Sequence, residues 1–341
     1  MIDGHGDDLF RYNGKVKVNF STNIHQGVDH SGLMRHLASC RELLSNYPEP
    51  EPVSVEKKLS DTYGFPVDNI IVTNGATDAI YLIARKMQGA RSAVVVPTFR
   101  EYQDACAMFG HDVRFIRESA ILEGALSACK ADVVWLCNPN NPTGQVFVHE
   151  ELLKIIDARP ETLYVIDQAY ADYSVVDVVT VQDILSRKNV IMLQSLTKQF
   201  AVPGLRIGYA LASADIISGL RMMRMPWSVN SFAIEASLYL LEHRNDYHID
   251  RYLLHKEALG ISQALRCLGI ECRETDCNFI LCSLPEGKAS ELKEWLMEMY
   301  GLLIRDASNF ETLDHTYFRV AAQDHESNEL LIKCIEEWVS L

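Results

Sequence analysis

The feature that most constrains the fold is an alternation of patterns that continues from about residue 45 to residue 240. Short apolar runs rich in β-branched residues, namely NIIVT, SAVVV, DVVWLC, TLYVID and VIMLQS, alternate with longer stretches in which apolar residues recur at helical spacing. Strands that are apolar along their whole length are typical of a parallel sheet covered by helices on both faces. The sequence therefore predicts a large α/β domain over 45–240 that binds its ligands at the carboxyl ends of the strands.

The pattern changes after Trp227. Two long helical segments follow it, and short strands then mix with helices to the end of the chain. This change predicts a second, smaller α+β domain made of residues 241–341 and completed by residues 1–44, an N-terminal arm. A chain of 341 residues is long enough for one large and one small domain.

Charge and hydropathy exclude several classes of partner. The formal net charge is −14, which would repel a phosphate backbone, so we expect no nucleic acid partner. The opening MIDGHGDD is acidic where a secretory signal needs a basic and then an apolar region, and no apolar run reaches membrane-spanning length. We therefore expect a cytoplasmic protein that does not associate with membranes.

The nine cysteines are expected to be free thiols. Four of them, Cys267, Cys272, Cys277 and Cys282, recur at equal spacing, but no CxxC pair occurs. Zinc sites usually contain such pairs, whereas buried free cysteines commonly serve as small apolar side chains. We expect no metal site.

Four loops that follow predicted strands carry polar groups of different kinds. In TNGATDAI, the backbone at Gly75, Ala76 and Thr77 forms a candidate anion cradle at a helix N-terminus, although strand, glycine and helix in succession are also a common turn. The loop NPNNPTG contains two prolines, which hold its asparagine amides in place.

The other two loops bring charged groups to the ends of apolar strands. VIDQAY ends its strand with Asp167, a carboxylate that needs a cationic partner if buried, and Tyr170 follows. In SLTKQFAVPGLRIGYA, Lys198 enters a partly desolvated region, where a lowered pKa would make its amine a nucleophile toward an aldehyde. Ser195, Thr197 and Arg206 lie in the same stretch. An amine, a carboxylate, a phenol, an amide and an anion cradle together complement pyridoxal phosphate.

The ordered set GATDAI, PTF, NPNNPTG, VIDQAY and SLTKQFAVPGLRIGY resembles the class I/II aminotransferase family of fold type I pyridoxal-phosphate enzymes. The resemblance implies a mostly parallel sheet between helices, and a cofactor held at matching positions. Lys198 would form a Schiff base with the cofactor and later carry a proton, and Asp167 would face the pyridine nitrogen. Asn141 and Tyr170 would hold the phenolic oxygen, and Phe99 would stack on the ring.

The same resemblance implies how the cofactor phosphate and the substrate are bound. The phosphate would lie on the backbone of Gly75, Ala76 and Thr77, with the side chains of Ser195, Thr197 and Arg206. Tyr47, in YPEP, is similar to the family tyrosine that reaches the cofactor of the neighbouring subunit, which implies a homodimer. Arg319, in YFRVAA, matches the arginine that binds the α-carboxylate of an amino-acid substrate, a role suited to a bidentate guanidinium.

Further stretches resemble the threonine-phosphate decarboxylase branch, which is close to histidinol-phosphate aminotransferases: HGDD, NFSTNI, PWSVN and IRDASNFETL. By this resemblance His5, Asn23 and Arg305 would recognise a distal phosphate of the substrate. The alternatives are an ordered arm over the site for His5 and Asn23, and a strand-end ion pair for Arg305. The chain departs from the branch in HQG, after NFSTNI, and in an Asp of HGDD where Gly is common.

These observations predict an enzyme that decarboxylates a phosphorylated amino acid such as L-threonine O-3-phosphate. Transamination of a phosphorylated or other polar amino acid is the alternative, and racemase or lyase chemistry comes third. A non-enzymatic transcription regulator is disfavoured because residues 1–44 show no helix-turn-helix pattern and the charge is wrong for DNA. A nicotinamide site is disfavoured because no GxGxxG follows a strand.

Overall fold

A computed structural model describes residues 8–12, 14–121, 124–125 and 129–341. His5 therefore lies outside the described residues. The strands are β1 (Val18–Asn19), β2 (Ile70–Thr73), β3 (Arg91–Val96), β4 (Asp112–Arg117), β5 (Val133–Cys137), β6 (Leu163–Asp167), β7 (Val190–Gln194), β8 (Gly208–Ala212), β9 (Glu271–Cys272), β10 (Phe279–Ser283), β11 (Leu302–Leu303), β12 (Arg305–Asp306) and β13 (Tyr317–Ala321).

The α-helices are α1 (Ser31–Ser39), α2 (Val53–Tyr63), α3 (Gly75–Lys86), α4 (Glu101–Met108), α5 (His149–Asp157), α6 (Val181–Leu185), α7 (Leu196–Gln199), α8 (Ala214–Arg221), α9 (Ser231–Glu242), α10 (Arg251–Cys267), α11 (Ala289–Tyr300) and α12 (His325–Val339). Within the described ranges, no helix combines the length and the apolar character that crossing a membrane requires.

The large sheet has seven strands in the order β2-β8-β7-β6-β5-β3-β4. Only β8 runs against the others, since it pairs antiparallel with both β2 and β7 while the remaining neighbours are parallel. This mostly parallel sheet confirms the predicted α/β architecture, and β2, β3, β5, β6 and β7 coincide with the predicted apolar runs. The sequence analysis did not predict β4 and β8.

Helices cover both faces of the large sheet because its strands are apolar on both sides. Alternate side chains of β2 enter different cores: Ile70 and Val72 face one side and Ile71 the other, and all three are fully buried. On the first side lie α1, α2, α5, α6 and α9. On the second side lie α3, α4 and α8. Each fully buried aliphatic side chain stabilises this arrangement by about 1.5–3 kcal/mol.

The small sheet has four antiparallel strands in the order β12-β13-β10-β9. One of its faces, with Ile280 and Phe318, packs against α10, α11 and α12 in a separate core. The N-terminal segment contacts both units: Phe20 is buried in the small-sheet core, whereas Leu33 of α1 is buried beside the large sheet. Between these two anchors, Ser21, Thr22 and Asn23 line the pocket described below.

Candidate active site

A pocket of about 390 Å³ lies where the carboxyl ends of the parallel strands face the small sheet. Its size is within the usual range for a small-molecule site. It brings together most of the residues that the sequence predicted to bind cofactor or substrate. These are Asn23, Ala76, Thr77, Phe99, Asn141, Asp167, Tyr170, Ser195, Thr197, Lys198, Arg206, Arg305 and Arg319.

Two predicted site residues, Gly75 and Tyr47, do not line this pocket, and a third cannot be placed. Gly75 lies one residue before its wall, at the start of α3, with a positive φ of 81°. Tyr47 is 88% exposed, and its ring centroid lies 5.8 Å from that of Trp227 on the outside of the molecule. His5 is outside the described residues. The pocket of one chain is therefore built without Tyr47.

Lys198 lies in the short helix α7, whose backbone is fixed on both sides. The Thr197 backbone N–H and hydroxyl both donate to the carbonyl of Ile207 at 3.1 Å, which ties α7 to the start of β8. The Tyr173 hydroxyl donates to the carbonyl of Lys198 at 3.2 Å. These bonds fix the backbone from which the amine enters the pocket, and Nζ lies 5.5 Å from the ring centroid of Tyr170.

Asp167 ends β6 and is buried. Burial raises the pKa of its carboxyl group, while hydrogen bonds and the charge of Lys198 lower it. The Tyr102 hydroxyl donates to Oδ2 at 2.7 Å, and the Ala169 N–H donates to Oδ1 at 2.9 Å. The cation expected near Asp167 is therefore Lys198, and two neutral hydrogen-bond donors accompany it. All three groups favour the ionised carboxylate.

Tyr102 was not predicted from the sequence to belong to the site. It lies on α4 three residues after Phe99, and the two rings meet edge to face with centroids 5.8 Å apart. An apolar ring at that helical spacing predicts a core position, and Tyr102 is indeed buried on the sheet side of α4. Only the three-dimensional structure shows that its hydroxyl reaches the end of β6.

A strand-to-helix turn at the opposite end of the pocket is suited to an anion. The N-terminus of the twelve-residue helix α3 carries the backbone N–H groups of Ala76 and Thr77, and the guanidinium of Arg206 lies beside it. A Cβ atom at Gly75 would lie 2.8 Å from Nη2 of Arg206, and one at Gly208 would lie 2.5 Å from the Ala76 nitrogen. Glycine is therefore required at position 208 by the close approach of the Ala76 backbone, and at position 75 it is favoured by the positive φ.

Two buried arginines form the small-sheet side of the pocket. Arg319 donates from Nη1 to Oδ1 of Asn141 and from Nη2 to the carbonyl of Ser21, and its Nε has no hydrogen-bond partner among the described residues. Burial, together with the charge of Arg305, lowers the pKa of Arg319 to about 10. Arg305 donates from Nη2 to Oδ1 of Asn309 at 2.8 Å. The two arginines are register partners across β12 and β13.

Several other lining residues were not predicted individually. They are Ser21, Thr22, Ile80, Arg100, Glu101, Tyr102, Cys137, Ala169, Pro203, Asn309 and Phe310. Asn309 and Phe310 lie inside the quoted stretch IRDASNFETL, so a signal for them was present. The divergent HQG does not line the pocket: Gln26 bonds instead to the side chain of Gln323 at 3.1 Å and to the carbonyl of Asn19 at 3.2 Å, and so supports the lining segment from behind.

The equally spaced cysteines do not converge on one point. Cys267 is exposed at the end of α10, Cys277 is buried beside Phe279, and only Cys272 and Cys282 have their sulfur atoms in contact, at 3.6 Å. In the described part of the chain, the metal-ligand atoms that do cluster belong to His36, Cys40 and Glu235, within 4.8 Å of one another. A 2.6 Å hydrogen bond between the His36 ring and Glu235 accounts for much of that cluster, which is not part of the pocket.

Comparison with known proteins identifies the family. The sequence profile of aminotransferases of class I and II matches residues 16–335, nearly the whole chain. The chain belongs to this family. The family enzymes depend on pyridoxal phosphate, so the fold and the class of enzyme expected from the sequence are confirmed.

Individual relatives of the family agree with this assignment. The structure of L-threonine-O-3-phosphate decarboxylase from Porphyromonas gingivalis is 36% identical and superposes with a TM-score of 0.92, covering 95% of this chain and 100% of that one. Histidinol-phosphate aminotransferase from Desulfitobacterium hafniense is 30% identical over 90% of this chain and 87% of its own. Histidinol-phosphate aminotransferase from Sinorhizobium meliloti, solved in complex with pyridoxal-5'-phosphate, shares the fold with a TM-score of 0.85 at 18% identity, covering 97% of this chain and 93% of that one.

The residues of the pocket fit pyridoxal phosphate. An amine, a buried carboxylate and an aromatic side chain meet there in Lys198, Asp167 and Phe99. The cradle at the start of α3 is kept open by glycines whose Cβ atoms would collide with Arg206 and Ala76. An aldehyde, a pyridine nitrogen and a phosphate each find a group of matching chemistry.

Proposed function

We propose that this protein is a pyridoxal-phosphate-dependent decarboxylase of a small phosphorylated amino acid of the L-threonine O-3-phosphate type. The observation that carries the proposal is the pair Arg305 and Arg319, which brings two buried guanidinium groups into the pocket that contains Lys198 and Asp167. Two cations match a substrate with two anionic groups, a carboxylate and a phosphate. The substrate named for the Porphyromonas gingivalis relative is of this class.

The cofactor would be held by the residues that the family resemblance assigns. Lys198 would bond to its aldehyde, Asp167 would face the pyridine nitrogen, and Phe99 would stack on the ring. Asn141 and Tyr170 would hold its phenolic oxygen. Its phosphate would lie against Gly75, Ala76, Thr77, Ser195, Thr197 and Arg206. When bound, the group supplies an electron sink for the charge that develops at the substrate α-carbon.

The protein's own side chains would orient the substrate. Arg319 would bind the α-carboxylate through the Nε that has no protein partner in the described chain. Arg305, Asn309 and Asn23 would hold the distal phosphate, joined by His5. Anchoring at both ends would hold the substrate in one orientation, which would favour loss of carbon dioxide over loss of a proton. Lys198 Nζ would then return a proton to the α-carbon.

One incubation tests this proposal. The purified enzyme, loaded with pyridoxal phosphate, is mixed with L-threonine O-3-phosphate, and carbon dioxide release and cofactor absorbance are followed together. The proposal expects carbon dioxide release with the starting absorbance restored after each turnover. Conversion to the pyridoxamine form without carbon dioxide would make the protein an aminotransferase, and no change of either signal would reject this substrate.

Transamination is the second candidate function, and one observation favours it. HQG departs from the decarboxylase branch, and its Gln26 bonds to the side chain of Gln323 and to the carbonyl of Asn19, so it helps to hold the segment 19–26 that contains the lining residues Ser21 and Asn23. A changed support can shift Asn23 and so the anchoring of the substrate phosphate. The absorbance of the same incubation, repeated with histidinol phosphate, distinguishes the two activities.

We infer further that the protein works as a homodimer in which Tyr47 reaches the cofactor phosphate of the partner. Tyr47 is 88% exposed, and the neighbouring Trp227 is 51% exposed. Leu44 and Met222 are 79% and 82% exposed, and exposed apolar side chains of this size are typical of interfaces. Family enzymes are typically dimeric, which supports the same inference.

Mixed subunits test the shared site. Lys198→Ala and Tyr47→Phe each impair both sites of a homodimer. If Tyr47 acts in trans, a hybrid of the two variants contains one fully intact site, so a hybrid made by co-refolding an inactive Lys198→Ala chain with a Tyr47→Phe chain is more active than the mean of the two parents. Hybrids no more active than the mean of the parents would show that Tyr47 does not act across the interface.

A further inference from the structure

Two cysteines outside the active site face each other across the small sheet. Cys272 of β9 and Cys282 of β10 are register partners in an antiparallel pair, and their free sulfur atoms are 3.6 Å apart. The neighbouring residue pair, Arg273 and Leu281, is hydrogen-bonded, since the Arg273 N–H donates to the carbonyl of Leu281 at 2.9 Å. Cys272 and Cys282 therefore form a non-hydrogen-bonded pair, in which Cα atoms typically lie ~4.5 Å apart. That separation is within the ~4.4–6.8 Å that a disulfide requires.

The two thiols are unequal in access and in acidity. Cys272 is partly exposed at the rim of a surface depression that is also lined by Arg266, Glu271 and Arg273, whereas Cys282 is fully buried. The hydrogen bond between the two sulfur atoms and the charge of Arg266 lower the pKa of Cys272, and burial raises the pKa of Cys282. Cys272 is thus the thiol that ionises first and is open to reagents, and the thiolate is the reactive form.

We propose that Cys272 and Cys282 are a redox modification site, which low-molecular-weight disulfides such as oxidised glutathione convert into a cross-strand disulfide. The Cys272 thiolate attacks one sulfur of oxidised glutathione, forming a mixed disulfide and releasing one glutathione thiolate. Cys282 then attacks the Cys272 sulfur, gives its proton to a released thiolate, and displaces the second glutathione. The two protein thiols are oxidised by two electrons, and the glutathione disulfide is reduced to two thiols.

The disulfide would close a hairpin that supports an active-site loop. Between the two cysteines, the Asp276 N–H donates to the carbonyl of Gly144 at 2.9 Å, and Asp276 Oδ2 accepts from the Val146 N–H at 2.8 Å. Gly144 ends the loop that carries Asn141, a lining residue of the pocket. Oxidation therefore restricts the hairpin 272–282 in the unfolded chain and raises the thermal midpoint by about 5 °C.

Peptide mapping of the holoenzyme tests the proposal. The enzyme is treated with oxidised glutathione, remaining thiols are blocked with iodoacetamide, and the protein is digested with trypsin without reduction. Trypsin cleaves after Arg273, between the two cysteines, so the disulfide joins two peptides. Cys267 lies in the same tryptic peptide as Cys272, so the Cys267→Ser variant is mapped in parallel. Cys277 lies in the same peptide as Cys282, and fragmentation of the linked peptides shows which of these two cysteines is bonded.

The expected result is a Cys272–Cys282 link in both proteins, with a thermal midpoint about 5 °C higher that dithiothreitol reverses. Cys272→Ser should lose both the link and the shift, whereas Cys267→Ser should keep them. The peptide map of the unmutated enzyme tests the proposal even if a variant folds poorly. Cys272 carrying glutathione while Cys282 stays alkylatable, or both cysteines remaining alkylatable, would overturn the proposal.

Discussion

The Tyr102 hydroxyl and the Asp167 carboxylate form a buried hydrogen bond in the pocket wall, 2.7 Å from Oη to Oδ2. Burial favours the protonated carboxyl group, and this bond favours the ionised one. Tyr102 is itself held by Trp135, whose ring lies 5.8 Å away and nearly parallel. A residue on α4 thus partly offsets the effect of burial on the pKa of a carboxylate at the end of β6.

Tyr102→Phe should raise the pKa of Asp167 further. The variant leaves only the Ala169 N–H and the charge of Lys198 to oppose burial. The proposed function requires the ionised carboxylate, so activity should be lost as pH falls through the pKa of Asp167, and the acidic limb of the kcat/KM profile should move to higher pH in the variant. A hydrogen bond to a charged group contributes about 1.5–3 kcal/mol, which corresponds to roughly 1–2 pH units. An acidic limb that coincides with that of the wild type would contradict this role.

Lys198→Ala should abolish turnover. Loss of a positioned acid–base group alone costs roughly 10²–10⁴-fold in rate, and loss of the nucleophilic amine adds to this. Lys198→Arg is the control, because it keeps a positive charge near Asp167 without a primary amine. Single-turnover carbon dioxide release measures both variants. Appreciable turnover by Lys198→Ala would sink the assigned role, whereas rescue by arginine would show that only the charge matters.

Replacing each of the paired arginines should have different consequences for substrate choice. Arg305→Lys should lower kcat/KM for L-threonine O-3-phosphate by roughly 10–100-fold, since a charge-assisted hydrogen bond contributes about 1.5–3 kcal/mol, and should hardly affect L-threonine. Arg319→Lys should affect both compounds, because both contain the α-carboxylate. Steady-state rates with the two compounds give the comparison. Equal losses on both compounds for Arg305→Lys would place Arg305 outside the phosphate site.

Some of the fold was predictable because burial leaves a pattern in the sequence. Strand β5 is buried throughout and reads as an unbroken apolar run, whereas edge strand β4 is mostly exposed, carries Arg114 and Arg117, and was missed. The motifs also located the lysine and carboxylate of the pocket. Tyr102 could not be recognised, because its role depends on a contact with Asp167, 65 residues away in sequence. The same applies to the pairing of Arg305 with Arg319, which depends on strand register.

Gly75→Ala should weaken binding of pyridoxal phosphate. The added Cβ would lie 2.8 Å from Nη2 of Arg206, and φ at this position is +81°. Gly64→Ala is a matched control, since its φ is also positive, at +73°, but its Cβ would meet no atom within 4 Å. Backbone strain of about 1–2 kcal/mol should affect the stability of both variants. Only Gly75→Ala should raise the dissociation constant for the cofactor, which is measured by titrating the apoenzyme with pyridoxal phosphate. Equal dissociation constants in the two variants would show that the turn at Gly75 does not contribute to phosphate binding.

Asp172 should make the stability of the protein depend on pH. Burial raises the pKa of this carboxyl group to about 6, against about 3.9 in an unfolded chain, while Arg251 and the Gln199 amide oppose the shift only in part. Below pH 4 the group is protonated in both states and contributes nothing. Between pH 4 and pH 6 the unfolded chain loses the proton first, so stability falls as pH rises, and above pH 6 the full cost remains, about 2–3 kcal/mol.

Asp172→Asn removes that cost and keeps an oxygen for the Gln199 amide, which donates to Oδ1 at 3.5 Å. The variant should therefore have a higher thermal midpoint than the wild type at pH 8, and the difference should vanish as the pH approaches 4. Thermal unfolding at a series of pH values measures the difference directly. A variant less stable than the wild type at pH 8 would mean that the attraction of Arg251 outweighs burial, and that Asp172 stabilises the fold as an ion.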